Sequence, residues 1–512
     1  MSPHRKTTIR RFRISNDVLL SILEYLDPPS LWRACKAFRR IYSLTMEYQS
    51  LRYKHELAVS GMKDGPVAYS KTPPISRLQL LLNYRKDWLE LSWNHEHRLQ
   101  ISLPAQVGSS GGFVHQIHSH EPFSTLELSE LPSCRKNRPP ALTRHLKFTT
   151  SVIDRVAVDL AQVLVVTAPL SLPTSQQGRI GIQLHFRDLW SFAKHPRARA
   201  LTYEFSSPSS AGAAIVRMTF LVCGSKLAIS LEFSDGRNKH LIMNWLNFDA
   251  RWLDDQDIHF LDETYLLGAS TRSGSAVVSL YNVSKITSIS VVREFELPPT
   301  WSNTIMKFLP NSSPRSDISQ PSDALFYAAP ETRVLAISST PTAISHSEFY
   351  PMNWLFLKES YFRFPSRKDG FRVSWGQWGQ YSLIKEIDVH PSAIRGPCVV
   401  GTKVFYVENA VHSTRGHAHS SRSSRLRVID FSPFAEPVEY PRGWTSVGPR
   451  ASLIPVESRR SIPTSSVDGL PVKDIIATED NIVLFLEPRQ GHSSVNVLTF
   501  GTPFDGSSRI RH

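Results

Sequence analysis

The sequence predicts an α+β protein of several domains: a small N-terminal all-α unit and a helical connector, followed by a large all-β domain. Apolar residues recur with the helical period of 3.6 over residues 14–31 and again from residue 75. From about residue 98 the period changes to two, as in half-buried strands. About 400 residues of short strands are more than one sandwich or small barrel uses. We therefore predict a degenerate β-propeller of six to eight blades, with two stacked β domains as the alternative.

The composition fits a globular protein, because 41% of its 512 residues are apolar and 20% are charged. The cysteines Cys35, Cys134, Cys223 and Cys398 are far apart and form no C-x-x-C pair. We therefore predict buried thiols in a reducing compartment and neither a disulfide framework nor a zinc site. The sequence shows no signal-peptide pattern and no apolar run long enough for a bilayer, so we expect no membrane partner and a cytoplasmic or nuclear location.

The net charge of +14 is spread along the chain, with local basic runs at residues 5–13, 135–138 and 415–427. A general solvated surface explains scattered Lys and Arg better than nucleic-acid binding does, so a nucleic-acid partner is unlikely. The run in residues 1–13 predicts a basic, disordered tail.

The stretch ISNDVLLSILEYLDPPSL, residues 14–31, predicts an amphipathic helix and the start of a second one. Four apolar residues share one face of this helix: Leu19, Ile22, Leu23 and Leu26. Leu20 widens that face. Ser15 and Asn16 can cap the helix start, and Pro28 and Pro29 should end it. Ser30 is then the predicted cap of a second helix. Apolar residues between Leu31 and Thr45 keep one helical phase, which predicts a single continuous helix there.

This stretch resembles the F-box, the adaptor-binding module of Skp–cullin–F-box ubiquitin ligases. The matching residues are Ile14, Ser15, Asp17, Val18, Leu19, Ile22, Leu23, Tyr25, Leu26, Asp27, Pro28, Ser30 and Leu31, then Cys35-Lys36-Ala37-Phe38-Arg39. Ser15 stands where that family usually has proline, and the Leu31-to-Cys35 spacing is about three residues shorter than usual.

The resemblance continues past the F-box, over about 80 residues in all. Residues 53–57 (YKHEL), 61–66 (GMKDGP) and the run from Arg77-Leu78 through Trp88 to Trp93 are similar to a set of mushroom-type fungal F-box proteins. The aromatic residues of that run predict a packed connector between the helices and the β domain.

The resemblance implies a non-catalytic substrate receptor with an F-box at 14–60, a connector at 61–94 and a propeller at 95–505 that binds a target protein. Its implied partners are a Skp-family adaptor, a cullin bound through that adaptor, and an unknown target. The residues implied to bind the adaptor are Ile14, Leu19, Leu20, Ile22, Leu23, Leu26, Asp27, Pro28 and Leu31. The alternative is a non-ligase β-propeller scaffold in which the helices only cap the propeller.

The sequence gives no positive sign of an enzyme. It contains no G-x-x-x-x-G-K-[ST], H-E-x-x-H or G-x-S-x-G motif. No cysteine or carboxylate pattern completes a metal site around His95, His97, His115, His118 and His120. We therefore predict no cofactor, no metal and no catalytic residue.

A propeller must close its ring or leave an exposed strand edge. The last strong strands, at 481–487 and 495–500, lie near the C-terminus, and the first candidates, at 99–102 and 113–117, follow the connector. We predict that these two ends of the β domain share one blade.

Overall fold

The structure is a computed structural model. It describes residues 14–65, 72–102, 105–120, 123–136, 140, 143–148, 153–169, 181–207, 213–312, 324–341, 352–363, 371–387, 393–409, 424–431, 443–446, 453–467, 470–488 and 492–501. The predicted basic tail at 1–13 lies outside these residues.

The N-terminal part is helical, as predicted. The helices, with three short ones inside the β domain, are α1 (Asn16–Tyr25), α2 (Pro28–Ala37), α3 (Arg39–Glu47), α4 (Gln49–Val59), α5 (Pro74–Glu90), α6 (Ser360–Arg363), α7 (Trp375–Trp378) and α8 (Thr464–Val467). Ser15 caps α1 as predicted, because its Oγ accepts a hydrogen bond from the Val18 N–H at 3.4 Å. We call α1 to α4 the helical unit.

Two predictions about the second helix are wrong. Helix α2 begins at Pro28 and not after Ser30, since a proline in the first turn lacks only an N–H that has no partner within the helix. The chain also breaks at Phe38, which is extended (φ −134°, ψ 109°), so α2 and α3 are separate helices. The break lets Cys35 Sγ lie 3.3 Å from Thr45 Oγ1. In one straight helix, residues ten apart would be about 15 Å apart along the axis.

The β domain is a propeller, as predicted, and its described strands form seven blades. Blades one to three contain β3 (Ala105–Ser110), β4 (Phe113–His120), β5 (Phe123–Glu130) and β6 (Arg144–Phe148); β7 (Ile153–Asp159), β8 (Leu164–Pro169), β9 (Gly181–Asp188) and β10 (Thr202–Ser206); and β11 (Ile215–Cys223), β12 (Lys226–Phe233), β13 (Asn238–Asn244) and β14 (Ala250–Leu253). Each blade is antiparallel from its first strand outwards.

Blades four and five each carry a fifth strand. Their strands are β15 (Asp257–Phe260), β16 (Tyr265–Arg272), β17 (Ser275–Asn282), β18 (Ser290–Glu296) and β23 (Arg372–Val373); and β19 (Thr304–Phe308), β21 (Val334–Pro341), β22 (Met352–Lys358), β24 (Leu383–Ile387) and β28 (Trp444–Ser446). Strand β23 pairs with β18 in parallel, whereas β28 adds to β24 antiparallel.

Blade seven closes the ring by joining both ends of the β domain. Blade six contains β25 (Ile394–Val400), β26 (Lys403–Glu408), β27 (Arg425–Asp430) and β29 (Val456–Ser461), and blade seven contains β30 (Val472–Ala477), β31 (Asn481–Leu486), β32 (His492–Phe500) and, outermost, β2 (Trp93–Ser102). Leu99 lies opposite Val495, which confirms the predicted closure for residues 99–102. The same prediction is wrong for 113–117, because that segment is β4 of blade one.

The first strands of the blades surround a central channel of about 810 Å³. Because successive strands of a blade are antiparallel, all of these inner strands begin at the same end of the channel. The opposite end carries α5 and a small sheet of β1 (Met62–Asp64) with β20 (Phe326–Ala328). We call it the helical end and the other the far end. The closed ring and its one channel exclude the alternative of two stacked β domains.

Candidate partner-binding surfaces

Helix α1 has two apolar stripes, and they face in different directions. Leu23 faces inwards and joins a small core with Leu31, Cys35 and Leu51. The second stripe faces solvent: Val18, Ile22 and Tyr25 are 53%, 47% and 91% exposed. A short helix that is apolar on both sides needs a second surface to cover it, so the outer stripe is a candidate partner-binding surface.

The residues implied to bind an adaptor divide between these two faces. Leu23 and Leu31 are 1% and 0% exposed and build the interior of the helical unit, where they are closed to a partner. The others reach the surface: Ile14, Ile22 and Asp27 are exposed, and Leu19, Leu20, Leu26 and Pro28 are half-buried. These seven remain the predicted adaptor contacts.

Val18 and Tyr25, two of the most exposed apolar residues of α1, are not among the residues that the F-box resemblance implies for adaptor binding. Their spacing with Ile22, at i, i+4 and i+7, is the signal that could have revealed a second stripe. Three more aromatic residues of the helical unit are exposed: Phe38, Tyr42 and Tyr48. The unit therefore presents a largely aromatic surface, the type that is enriched at protein interfaces.

Long cationic side chains hold α1 in place at both ends. At its start, Arg40 Nη2 donates to the Ile14 carbonyl at 2.7 Å and to Asn16 Oδ1 at 2.6 Å. At its end, Lys54 Nζ donates to the carbonyls of Glu24 at 2.7 Å and Leu26 at 3.0 Å. A cation at a helix C-terminus binds its unpaired carbonyls and complements the helix dipole. The outer stripe is therefore fixed relative to α3 and α4.

We expect Lys54→Met to loosen the end of α1 without unfolding the propeller. The variant loses two charge-assisted hydrogen bonds, of which a net loss of about 1 kcal/mol is expected at a partly exposed site. Amide hydrogens in the last turn of α1 should exchange about fivefold faster, as measured by hydrogen–deuterium exchange. The matched control is Lys36→Met, since Lys36 lies over the Trp32 ring on α2. Equal exchange of α1 in both variants would contradict the proposed role of Lys54.

A polar cluster joins the helical unit to the propeller. Tyr53 OH donates to Asp64 Oδ1 at 2.6 Å, and Arg77 Nη1 reaches the same oxygen at 3.3 Å. Burial raises the pKa of Asp64, although the bonds from Tyr53 and Arg77 oppose the rise. Asp64 lies on β1, which pairs with β20, so α4, α5 and the propeller meet at one carboxylate.

Helix α5 packs its aromatic residues into blade seven, as the sequence predicts for the connector. Trp88 stacks on Phe500 with ring centroids 3.7 Å apart and an angle of 10° between planes. Tyr84 meets the edge of Phe326, and its hydroxyl donates to the carbonyl of Glu479. Helices α4 and α5 thus share one continuous core with blades six and seven. The outer stripe of α1 is held to that core through Lys54 of α4.

A buried ion-pair cluster lies beneath α5 at the helical end of the channel. Arg135 Nε and Nη2 each lie 2.9 Å from an oxygen of Asp480, and Nη1 lies 2.6 Å from Glu479 Oε2. Arg135 Nη1 also donates to the Phe326 carbonyl of β20. This cluster connects blades one and seven to the small sheet of β1 and β20 at the helical end.

The channel is the second candidate partner-binding surface. Its far end, away from the helices, is lined by the exposed side chains of Arg217 and Lys307 together with Asp257 and Asp474. A partner at this end would leave the outer stripe of α1 uncovered. Within the described residues, no group of three or more His, Cys, Asp or Glu side chains could hold a metal ion. None of the described helices is long and apolar enough to cross a membrane.

Comparison with known proteins does not assign this chain to a family. No family model matches the sequence, and no curated protein matches it. Among solved structures, the chain is similar to the WD40 domain of SCAP from fission yeast, with 10% identity and a TM-score of 0.38 over 80% of this chain and 99% of that one.

Two further solved structures are similar to this chain at comparably low identity and TM-score. The WD40 domain of coronin from Toxoplasma gondii has 9% identity and a TM-score of 0.37 over 80% of this chain and 88% of that one. The uncharacterized protein lmo1340 from Listeria monocytogenes has 8% identity and a TM-score of 0.39 over 76% and 92%. TM-scores this low do not support a conclusion about fold or function, so the propeller assignment rests on strand pairing in this chain.

Proposed function

We propose that this chain is the substrate-receptor subunit of a Skp–cullin–F-box ubiquitin ligase. The observation that supports this best is the outer stripe of α1, with Tyr25 91% exposed, on a helical unit that is fixed to one end of a seven-bladed propeller. The stripe lies within the residues that resemble an F-box. It would bind a Skp-family adaptor as an amphipathic helix binds a groove, through anchors at i, i+4 and i+7.

The proposed role requires no chemistry from the chain itself. A receptor that binds an adaptor through its helices and a target through its propeller brings the target to the ubiquitin-loaded enzyme on the cullin. Tethering then turns a bimolecular encounter into a local one, which raises the rate without a catalytic residue. We place the complex in the cytoplasm or the nucleus, and four buried cysteines that form no disulfide fit a reducing compartment.

Rigid attachment of the helices supports the receptor role. A target held by the propeller is presented in a constant orientation only if the helices do not swing. The stacking of Trp88 on Phe500 and the bonds that Tyr53 and Arg77 make to Asp64 fix that orientation. Loops alone would leave the two parts free to move relative to each other.

A non-ligase scaffold is the second candidate function. One observation favours it: α4, α5 and β1 complete the core of blades six and seven, so the helices already have a structural role as a cap. That role leaves α1 unexplained, because its outer stripe does not belong to this core. Binding of the adaptor is what separates the two candidates.

The test is to purify the tagged full-length chain with a co-expressed Skp-family adaptor and cullin. We expect both to co-purify with wild type, and we expect Ile22→Asp to weaken adaptor binding by at least tenfold, because it places a charge in an apolar contact. Tyr25→Ala should weaken binding to a similar extent, since exposed tyrosines are frequent interface hot spots.

The matched control is Val292→Asp, which adds the same charge at a half-exposed apolar position on β18. It should leave the yield of adaptor unchanged. Unchanged circular dichroism and unfolding temperature would show that Ile22→Asp stays folded. If wild type retains no adaptor, or if the folded Ile22→Asp variant retains it fully, the proposed function is wrong and the scaffold is favoured.

A further inference from the structure

The helical end of the propeller carries a row of exposed cations on blades one to four. In each of these blades the first and third strands run in the same direction, so the turns that follow them lie together at the helical end. The exposed cations lie in or directly beside the turns between third and fourth strands: Arg144, Lys194, Arg197, Arg199, Arg251 and Lys285. We call these side chains and their turns the basic surface.

Hydrogen bonds between blades join these turns into one surface. Arg144 Nη1 of blade one donates to the Trp190 carbonyl of blade two at 3.1 Å. Arg199 Nη1 of blade two donates to the Asn247 carbonyl of blade three at 3.3 Å. Lys226 Nζ of blade three donates at 3.3 Å to a carbonyl in the turn of blade four. A partner would therefore meet a continuous row of turns and not isolated loops.

The turn of blade two is fixed from below by a buried histidine. His195 is 2% exposed; its Nδ1 accepts from the Arg197 N–H at 3.2 Å, which leaves Nε2 to donate to the Gln162 carbonyl at 3.0 Å. Its ring meets the Trp245 ring edge-on, with centroids 5.0 Å apart. The exposed Lys194 and Arg197 on either side of it are thus held in place before a partner binds, and preorganisation lowers the entropy lost on binding.

The carboxylates near the basic surface are bound within their own turns. Asp188 Oδ1 accepts from the N–H groups of Trp190 at 3.0 Å and Ser191 at 2.8 Å. Glu263 Oε2 accepts from the N–H and the hydroxyl of Ser225, both at 3.1 Å. All carboxylates near the surface are half-buried: Glu127, Asp159, Asp188, Asp249, Asp262 and Glu263. They are therefore less accessible to a partner than the cations.

These carboxylates do not neutralise the exposed cations. Three further cations lie near them and are half-buried or buried: Arg187, Lys226 and Arg363. Arg363 pairs with Asp262 at 3.4 Å, and Lys226 lies within electrostatic reach of Glu263. Among the described residues, none of the exposed cations of the basic surface forms a salt bridge. Cations outnumber carboxylates here, so the field at this surface is positive.

The surroundings of these cations favour an acidic protein as the partner. A second copy of the chain would be repelled, since the net charge is +14. None of the described large apolar side chains on this surface is exposed, whereas peripheral membrane binding usually needs such side chains to enter the lipid. The aromatic faces are covered: Trp245 is buried, and the Arg144 guanidinium lies 5.5 Å from the centroid of the half-buried Trp190. Single-stranded nucleic acid would need free rings on which its bases can stack.

We propose that the basic surface binds an acidic segment of a second protein, one that belongs to the complex assembled on the outer stripe of α1. The inference deepens the proposed function by adding a second contact between the receptor and its complex. It rests on that function only for assigning the acidic segment to that complex. The helical unit and the basic surface lie at the same end of the propeller, so one assembly can contact both. Complementary charges at such a contact speed association more than they raise affinity.

The test uses the full-length chain and a fluorescein-labelled peptide of alternating Glu and Ser, with fluorescence anisotropy at low ionic strength as the readout. We expect saturable binding that weakens as salt rises, because salt screens exposed charges. A peptide with Gln in place of each Glu should not bind. The double variant Lys194→Gln/Arg197→Gln should bind the acidic peptide about fivefold more weakly. Unchanged circular dichroism and unfolding temperature would show that this variant stays folded.

The matched control is Arg217→Gln/Lys307→Gln, which removes one arginine and one lysine from exposed positions at the far end of the channel. It should change the affinity less than twofold. Three results would overturn the proposal: the acidic peptide does not bind, the control variant weakens binding as much, or duplex DNA or phosphatidylserine vesicles bind this surface more tightly than the peptide. The peptide assay needs no adaptor, and adaptor co-purification tests Ile22 separately, so either proposal can fail while the other holds.

Discussion

Deleting residues 492–512 is expected to prevent the propeller from folding. The deletion removes β32, which pairs with β31 on one side and with β2 on the other. It also removes Val495, Val497, Leu498 and Phe500, each at most 1% exposed. At about 1.5–3 kcal/mol for each buried large apolar side chain, the loss is about 6–12 kcal/mol, against a typical stability of about 5–15 kcal/mol. The truncated chain should aggregate through the exposed edges of β2 and β31.

The matched control is deletion of residues 502–512, which removes none of the described strands. Size-exclusion chromatography and thermal unfolding should show a soluble monomer close to wild type for this control. The longer deletion should give aggregate or no soluble protein. If the chain without 492–512 is soluble and monomeric with an unchanged unfolding temperature, closure of the ring through β2 and β32 does not stabilise the fold.

The propeller can be predicted from strand density and chain length, but the blades and their equivalent strands cannot be located from the sequence. The segments RIGIQLHF, KLAISLEF and SAVVSLYNV follow one another at steps of about 47 and 50 residues, close to one blade. The structure shows that they are not equivalent: β9 and β17 are third strands, whereas β12 is a second strand. The equivalent second strands begin at Leu164, Lys226 and Tyr265, with uneven spacing. Insertions between strands hide the repeat.

Strand β3 shows why one part of the closure prediction is wrong. Its sequence, AQVGSS, has one large apolar residue, so alternation does not reveal it. It is nevertheless the inner strand of blade one, because β4 and the channel supply its neighbours. Without β3, the segment at 113–117 looks like the first strand after the connector. The register of the ring depends on such weak strands, which only tertiary contacts define.

In the helical unit, too, some features follow from the local sequence and others follow only from tertiary contacts. The start of α1 follows from Ser15, a local cap, and is predictable. The break at Phe38 has no local signal, since neither glycine nor proline is present there. It follows from the contact of Cys35 with Thr45 and from the burial of Leu44. The same reasoning explains the outer stripe: the sequence shows two apolar faces on α1, but only packing decides which face is covered.

Replacing Arg135 with leucine is expected to cost about 3–5 kcal/mol of stability. The side chain is 5% exposed, and its partners Glu479 and Asp480 are each 6% exposed, so solvent screens little of the interaction. Removing the guanidinium would leave two carboxylates buried without their cation. The sequence does not reveal this cluster, since Arg135 and Asp480 are 345 residues apart. They meet because blades one and seven are neighbours in the closed ring.

Two further variants distinguish an unpaired charge from lost packing. Arg251→Leu, at an exposed position on β14, should change the free energy of unfolding by no more than about 0.5 kcal/mol. Adding Asp480→Asn to Arg135→Leu should recover part of the loss, because one buried charge is then removed. Denaturant unfolding followed by tryptophan fluorescence measures all three. A loss below about 1 kcal/mol for Arg135→Leu, or no recovery in the double variant, would contradict the role of this cluster, since a buried pair without its cation should cost several kcal/mol.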